Sequence, residues 1–574
     1  MPLSIAEATT TLVAPGQIFE ISEQVVDGIT TRVWKNCPVS LATILESSRG
    51  FGPAIYLVYE DERVSFEEHF ATATKLAAAM SEHYGIQKGD RVAIAARNCP
   101  EWVVSFWAAA SLGAVVVPLN AWWTGPELAY GLSDSESALA ILDGERLERL
   151  SQHLGELRHS GLRHTLVVRS DEALGDAGPC PGTDRYEDVM GDTALATAGE
   201  LASVAIGPDD DATIFYTSGT TGRPKGALGT QRNICTNLMS LGFITARNQL
   251  TATDDQREQM GTGGAQNCHL LSVPLFHATG CHSILVANTS AGGKLVMMRR
   301  FDPKRALELI ERERVTIFGG VPAMAWQVLS SPELDRYDTS SVRSIAYGGA
   351  PAPPELVRRI KARFPTGNPS NGYGLTETSS VTSINSGEDY VRRPESVGLA
   401  VPVCEVRVVD ADAKDVPLGE PGELWIKGPN VVRGYWKNPV ATKESFTEGW
   451  LHTGDVARLD EDGFIYIVDR AKDVVIRGGE NVYSVEVEAA IFEHPSIADA
   501  AVIGIPHEVL GEEVGAVVLL RQGAELSAAE LQNHLGERIA AFKVPSHIYF
   551  RSDPLPRNPA GKVLKRQLTR EVAK

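Results

Sequence analysis

The chain has no C-x-x-C pair, no internal repeat, no low-complexity tract and no excess of positive charge, and each absence removes a class of function. Its seven cysteines, at 37, 99, 180, 235, 268, 281 and 404, are scattered and odd in number. That excludes a disulfide framework and a cysteine zinc site and fits a reducing compartment. Fifty-four Lys and Arg against 73 Asp and Glu leave a formal net charge of −19. Such a balance argues against nucleic acid or an anionic membrane as the main partner, while local loops can still bind an anion. Met1 to Glu7 lacks a basic region followed by an apolar run, and Val572-Ala573-Lys574 is not a peroxisomal S-K-L address, so a cytoplasmic protein is expected. One long stretch, Trp102 to Trp123, carries no charge. Gly113, Pro118 and Asn120 interrupt it, so it reads as a buried helix (Glu101 to Leu112) and a short strand (Ala114 to Val117) rather than an integral membrane span. Peripheral membrane contact is left open.

At 574 residues, 43% hydrophobic and 22% charged, the sequence is that of a globular protein too long for one core. Strand-like runs alternate with helical ones: Ala54 to Val58 before Ser65 to Tyr84, Asp90 to Ala95 before the uncharged helix, then Leu139 to Leu142 and Thr165 to Val168. The expected class is α/β, with a large N-terminal domain of parallel-rich sheets flanked by helices. Residues 1–50 are weakly patterned and are expected to drape over it, and 170–208 read as an irregular surface passage. Gln231 to Leu241 reads as a helix, Arg247 to Gln266 as a mobile polar loop, and Leu270 to Leu275 as a strand. Phe301 to Arg314 is amphipathic, with Asp302 as N-cap and Pro303 at the first position. Thr316 to Phe318 and Ser344 to Tyr347 are strands. From about 403, alternation in Glu405 to Asp410 and Gly422 to Lys427 suggests a small antiparallel, barrel-like sheet. The last hundred residues hold helices (Val485 to Phe492, Ala528 to Ala540) and strands (Ala500 to Ile503, Gly515 to Leu520) and suit a small α+β domain. The division expected is 1–470 and a mobile 471–574.

Chemistry concentrates in Tyr216-Thr217-Ser218-Gly219-Thr220-Thr221-Gly222-Arg223-Pro224-Lys225-Gly226, which follows the apolar run Ala212 to Phe215. Glycines let backbone N–H groups approach a polyphosphate, hydroxyls add donors, and Lys225 supplies a mobile charge. It is not a Walker loop, because Pro224 stands where G-x-x-x-x-G-K-[ST] needs glycine. A surface turn rich in Gly and Thr is the bland alternative. The stretch resembles the phosphate-binding signature of the adenylate-forming superfamily: acyl-CoA synthetases, luciferases and peptide-synthetase adenylation domains.

Further motifs stand in that superfamily's order over residues 50–570. Tyr347-Gly348-Gly349-Ala350-Pro351 ends a strand where glycines leave room for a flat ring. Asn371-Gly372-Tyr373-Gly374-Leu375-Thr376-Glu377 offers an aromatic ring, a hydroxyl and a carboxylate. The resemblance implies Tyr373 against adenine, Thr376 at the α-phosphate, and Glu377 with Thr220 as ligands of Mg2+. Asp455 and Arg470, which alone suit a surface salt bridge, resemble the ribose clamp. Pro556 to Arg566 alone is a solvated basic tail; the resemblance makes Lys562 the cation that bridges substrate carboxylate and α-phosphate, offsetting their repulsion. It also implies a hinge at Lys472 and a loop, Gly478-Gly479-Glu480-Asn481, that builds the tunnel for coenzyme A.

Phe276, His277 and Cys281 begin the helix that usually lines the acyl site, with Phe318 to Pro322 and Ala346 opposite. His277 is carried as a site residue, as a packed ring or gate more readily than a base, because a carboxylate is already ionised at neutral pH. None of Phe276 to Gly280 or Ala346 to Pro351 is acidic, which favours an apolar acid over an amino acid. The reading that follows is an ATP-dependent acyl-CoA ligase for a medium- or long-chain fatty acid, monomeric or homodimeric. Its alternatives are an aryl-acid ligase, an adenylating enzyme that loads a carrier protein, and a luciferase-like monooxygenase. A non-catalytic binding protein on this fold would be expected to lose Glu377 or Lys562, and both are present.

Overall fold

The computed structural model of the chain describes residues 2–159, 161–170, 182–193, 195, 200–201, 203–217, 223–260, 265–350, 352–364, 367–558 and 561–572. The uncharged run sits at its centre. Pro100–Ser111 is a helix with proline in its first turn, followed by the strand Val115–Pro118. Trp102, Val103, Phe106 and Trp107 on that helix are each 1% exposed or less. A helix apolar all round belongs inside a core, and burying each large side chain is worth about 1.5–3 kcal/mol. No described helix is long and apolar enough to cross a membrane.

Two large sheets flank this core. The first is eight-stranded: Gly434–Tyr435, Lys225–Thr230, Asp211–Thr217, Val115–Pro118, Arg91–Ala95, Leu139–Asp143, His164–Val168 and Thr183–Arg185 lie side by side in that order. The second is nine-stranded and centres on the parallel neighbours Lys294–Met297, Cys268–Leu271, Ile317–Gly320, Ser344–Gly348 and Asn368–Tyr373. Parallel strands buried on both faces read as near-continuous apolar runs, which is why these runs are visible in the sequence. A third, five-stranded sheet is antiparallel and contains Glu405–Val409, Gly422–Lys427, Trp450–Leu459 and Ile465–Arg470. The last sheet is built on Ile497–His507 and Gly511–Leu520, with Val475–Arg477, Glu480–Val482 and His547–Arg551, and is covered by the helices Ser484–Phe492 and Ala528–Gly536. This is the expected α/β architecture with its smaller β-rich parts. The helix Pro303–Glu313 starts as expected, with Asp302 accepting from the Arg305 N–H.

Three expectations need correction. Residues 1–50 do not merely drape: they form the helix Ile5–Val13, the hairpin Ile21–Val26 with Ile29–Trp34, and the helix Leu41–Ser48, whose Leu41 and Leu45 are fully buried. Trp34 anchors the hairpin against Phe19 and Phe243, 5.9 and 5.4 Å between ring centroids. The stretch from Arg247 is not a loop throughout. One helix runs Gln231–Thr251 and a second Asp254–Met260. Phe243, Ile244 and Arg247 form its inner face, with the Arg247 guanidinium stacked on Phe243, so a polar residue is buried by its flat face rather than by apolar character. The irregular passage 170–208 holds a short strand, Thr183–Arg185, and a helix, Tyr186–Gly191.

Candidate active site

The carboxyl end of the second sheet supplies one wall of a cleft. Strands Ser344–Gly348 and Asn368–Tyr373 run parallel with Tyr347 opposite Asn371 and Gly348 opposite Gly372. A Cβ on Gly348 would stand 2.5 Å from the Gly372 carbonyl oxygen, and one on Gly374 would stand 1.5 Å from that of Ser380. These glycines are therefore steric necessities. Gly349 turns with φ 75° and faces open space, with Ala350 beside it. Asn371 is buried in this pairing, and the Tyr347 hydroxyl donates to that of Tyr390 at 3.0 Å.

Tyr373 extends to the third sheet, where its hydroxyl donates to Asp455 Oδ2 at 2.7 Å. Asp455 and Arg470 are directly opposed in the antiparallel register of Trp450–Leu459 and Ile465–Arg470, and Arg470 Nε lies 2.8 Å from Asp455 Oδ1. Asp455 is 2% exposed, and apart from this ion pair its Oδ1 accepts no hydrogen bond of good geometry among the described residues. A buried carboxylate oxygen in that state suits a donor hydroxyl from a ligand. Burial, then Asp455, pushes the Tyr373 phenol well above its ordinary value.

Thr376 opens the single tight turn Thr376–Thr378. Behind it, Ser379 and Ser380 take φ of 52° and 101°, a left-handed backbone of the kind that collects at functional sites. Glu377 Oε1 accepts the Tyr435 hydroxyl at 2.8 Å, and its main-chain oxygen accepts the Val432 N–H at 2.9 Å. Tyr435 pairs with the strand Lys225–Thr230, and Lys225 Nζ lies 5.2 Å from the centroid of its ring. Thr217 and Lys225 are opposed in the hairpin that carries the phosphate-loop motif. Ser218, Gly219, Thr220, Thr221 and Gly222 lie outside the described residues.

Lys562 enters the same cleft from the last segment. Its turn is closed by the Asn558 N–H on the Lys562 oxygen at 2.8 Å, and by the Lys562 N–H on Asn558 Oδ1 at 2.9 Å. Gly561, at φ 79°, lies so close to Val321 that a Cβ there would be 2.5 Å from Val321 Cγ2. Lys562 is exposed as a residue, but its ammonium sits among protein groups and is held down to about 8, by desolvation there first and by Arg470 next, with Asp455 and Glu377 acting in the opposite sense. His277 is brought down to about 4 by burial and then by Lys562, so a neutral imidazole stands beside that lysine. Its Nε2 has no hydrogen-bond partner among the described residues. Lys472 sits in the adjoining turn near Arg470 and Asp473, its ammonium lowered chiefly by burial.

Gly478, Gly479 and Glu480 stay outside this cluster. The two glycines, at φ 60° and 90°, form the tip of the hairpin Val475–Arg477 with Glu480–Val482. Positive φ at both tip residues matches the right-handed twist of a two-residue hairpin. The Gly478 N–H donates to Leu510, and Arg477 pairs with Gly511, both in its own sheet. Cys281 and Phe318, expected along the acyl site, are packed in the core, 0% and 2% exposed. Thr279–Val286 is wound more widely than an α-helix, so the facing residues shift: Thr279, Ser283 and Ala287 keep accessible surface while Cys281 and His282 are buried. Tyr435 was not foreseen. Nothing in Gly434-Tyr435-Trp436 marks chemistry until the strand pairing sets it on Glu377.

An acidic, aromatic and cationic set gathered around one cleft, beside a phosphate-loop motif, defines a class of enzymes that activate a carboxylic acid with ATP. Comparison with known families agrees: residues 45–436 match the AMP-binding enzyme model and 486–562 its C-terminal domain model. The chain belongs to that family, the adenylate-forming superfamily, and is an ATP-dependent acyl- or aryl-CoA ligase. It is 32% identical over 556 residues to a long-chain-fatty-acid–CoA ligase of Bacillus subtilis, covering 93% of this chain and 94% of that one. A feruloyl-CoA synthase of an Amycolatopsis species is 34% identical over 486 residues, 85% and 89% of the two chains. Among solved structures, o-succinylbenzoate CoA synthetase from Bacillus subtilis, in complex with its acyl-adenylate intermediate, superposes with a TM-score of 0.72 at 31% identity, covering 92% of this chain and 97% of the other.

Proposed function

We propose that the chain activates an apolar carboxylic acid, a medium- or long-chain fatty acid ahead of an aryl acid, and transfers it to coenzyme A. The observation that carries this is the convergence of Lys562, Glu377 and the Asp455–Arg470 pair on one cleft. A carboxylate oxygen of the acid attacks the α-phosphorus of ATP, and the bond to pyrophosphate breaks. Lys562 lies between the two anions and offsets their repulsion where charge develops. Tyr373, Gly348, Gly349, Ala350, Asn371, Gly372 and Gly374 shape the adenine site, and Asp455 with Arg470 the ribose site. Thr217 to Gly222 with Lys225 hold the phosphates, and Thr376 meets the α-phosphate. Glu377, with one oxygen on Tyr435 and the other free of protein donors among the described residues, fits a Mg2+ ion together with Thr220. That ion, when bound, would neutralise phosphate charge. His277 faces the acyl mouth as a neutral ring.

The domains run 1–470 and 471–574 with the hinge at Lys472. Rotation there withdraws Lys562 and brings Gly478, Gly479 and Glu480 to the cleft, so the thiolate of coenzyme A can attack the acyl carbon and AMP departs. A panel of fatty and aryl acids in a pyrophosphate-release assay tests the acid class. Fatty acids of medium or long chain are expected to give the highest kcat/KM, and a clear preference for coumarate-like acids would replace this reading by the aryl one. Coenzyme A is expected to outperform a phosphopantetheinyl carrier protein as acceptor.

The Lys562 ammonium gives a pH signature. It must be charged to act, so kcat/KM for ATP in the adenylation half-reaction should fall by about tenfold per pH unit above pH 8. Bound phosphates favour the charged form, so the break in kcat should lie higher. Thioester formation from supplied acyl-adenylate should show no such fall, because the thiol becomes more reactive as it ionises. A flat adenylation profile across that range would count against Lys562 as the bridging cation.

A further inference from the structure

A buried polar cluster joins the third sheet to the last one, and the chemistry above leaves it unused. Asp469 lies in the strand Ile465–Arg470, one residue before the arginine that pairs with Asp455. Its Oδ2 accepts the backbone N–H of Ser484, and its Oδ1 accepts the Ser484 hydroxyl at 3.0 Å. Ser484 is the first residue of the helix Ser484–Phe492, so a carboxylate from one body caps a helix of the other, where free N–H groups and the helix dipole favour negative charge. Lys565 approaches the same serine, donating from Nζ to Ser484 Oγ at 2.6 Å and lying 2.8 Å from Glu488 Oε1. Asp469 and Ser484 are 2% and 0% exposed. Burial holds the Asp469 carboxyl above its ordinary value; at Lys565 burial acts downward, but Glu488 and Asp469 outweigh it and keep the ammonium above its own.

Geometry ties this cluster to the first step. Lys565 begins the last helix, Lys565–Val572, three residues after Lys562. Three residues span about 10 Å at full extension, so a fixed Lys565 leaves Lys562 little freedom. The same strand that offers Asp469 offers Arg470 to the ribose site, so both ends of the linkage are referred to one β-strand. We propose that Asp469, Ser484, Lys565 and Glu488 form a latch that positions Lys562 for adenylation and must open for thioester formation. This rests on the two-step reading above. Asp469 belongs to the third sheet and precedes the turn at Ala471–Asp473, whereas Ser484, Glu488 and Lys565 follow it. Rotation about that turn therefore has to break every bond that Asp469 makes to Ser484.

The test uses Asp469→Asn and Lys565→Met in the full-length enzyme, with Lys565→Arg as the conservative control. Both disruptive variants should lower kcat for pyrophosphate exchange by about 10- to 100-fold with KM for ATP within about twofold, the scale of a misplaced catalytic group. Conversion of supplied acyl-adenylate to thioester should be unchanged or faster, and Lys565→Arg should restore exchange. Spin labels at the exposed positions 440 and 509 should report a shift of the distance distribution away from the wild-type orientation. Equal loss in both half-reactions with wild-type label distances, or exchange at the wild-type rate, would overturn the latch. If the wild-type enzyme formed no acyl-adenylate from any acid, the functional reading would fail instead, while label distances would still show whether the cluster holds the two bodies together.

Discussion

Replacing Lys562 by alanine is expected to lower acyl-adenylate formation by about 100- to 1,000-fold, the usual cost of removing one preorganised group that meets developing charge. Thioester formation from supplied acyl-adenylate should survive. The reason is electrostatic. The ammonium feels Arg470 and Lys472 as like charges and Asp455 and Glu377 as opposite ones, so it already stands among the groups assigned to ribose and metal. In the first step two anions must meet, and a cation between them acts most strongly as the α-phosphorus is attacked. In the proposed second step the electrophile is a mixed anhydride and the nucleophile a thiolate, and the proposed rotation would have withdrawn Lys562. Pyrophosphate exchange and single-turnover thioester formation, measured on the same preparation, separate the two. Parallel losses in both would remove the division of labour.

Where a local rule coincides with the global fold, the sequence can be read directly. Asp302 and Pro303 announce the helix they begin, because a cap and a fixed φ act within one turn. The uncharged run announces a buried helix and strand because nothing else shelters so much apolar surface in one domain. Asp455 and Arg470 are legible as a pair only through hairpin register, which their sequence allows and the antiparallel ladder then enforces. Features that depend on distant partners are not legible. Tyr435 acquires meaning from a two-residue strand laid beside Lys225–Thr230, and Asp469 from a helix start 15 residues on. The helix through Arg247 was hidden because its inner face is completed by a stacked guanidinium, which a hydrophobic pattern does not register. The burial of Cys281 is not legible either: the resemblance places it on the helix that usually lines the acyl site, and nothing in the sequence marks the wider winding of Thr279–Val286, in which it is fully buried.

Proline at Lys472 is expected to block the second step by at least about 100-fold, close to 2.7 kcal/mol on its barrier, while the first step slows only a few-fold. Two features of the turn set these sizes. The N–H groups of Ala471, Asp473 and Val474 are engaged with Gly454 and Arg470, and that of Lys472 makes no such bond among the described residues, so proline there removes none of these hydrogen bonds. It does occupy the third position of the turn from Arg470 to Asp473, where it presses Ala471 out of the helical region, and this accounts for a modest loss in adenylation. Domain rotation is different in kind. It requires a large change of backbone angle over very few residues, and a ring that fixes φ near −65° removes one of the angles available. In the proposed cycle the Asp469–Ser484 contact and the hinge would act in sequence, one holding the bodies together and the other letting them turn. Lys472→Pro should therefore retain pyrophosphate exchange, accumulate acyl-adenylate, and release little thioester when coenzyme A is added. Turnover to thioester at the wild-type rate would show that the pivot lies elsewhere in the segment joining the two bodies.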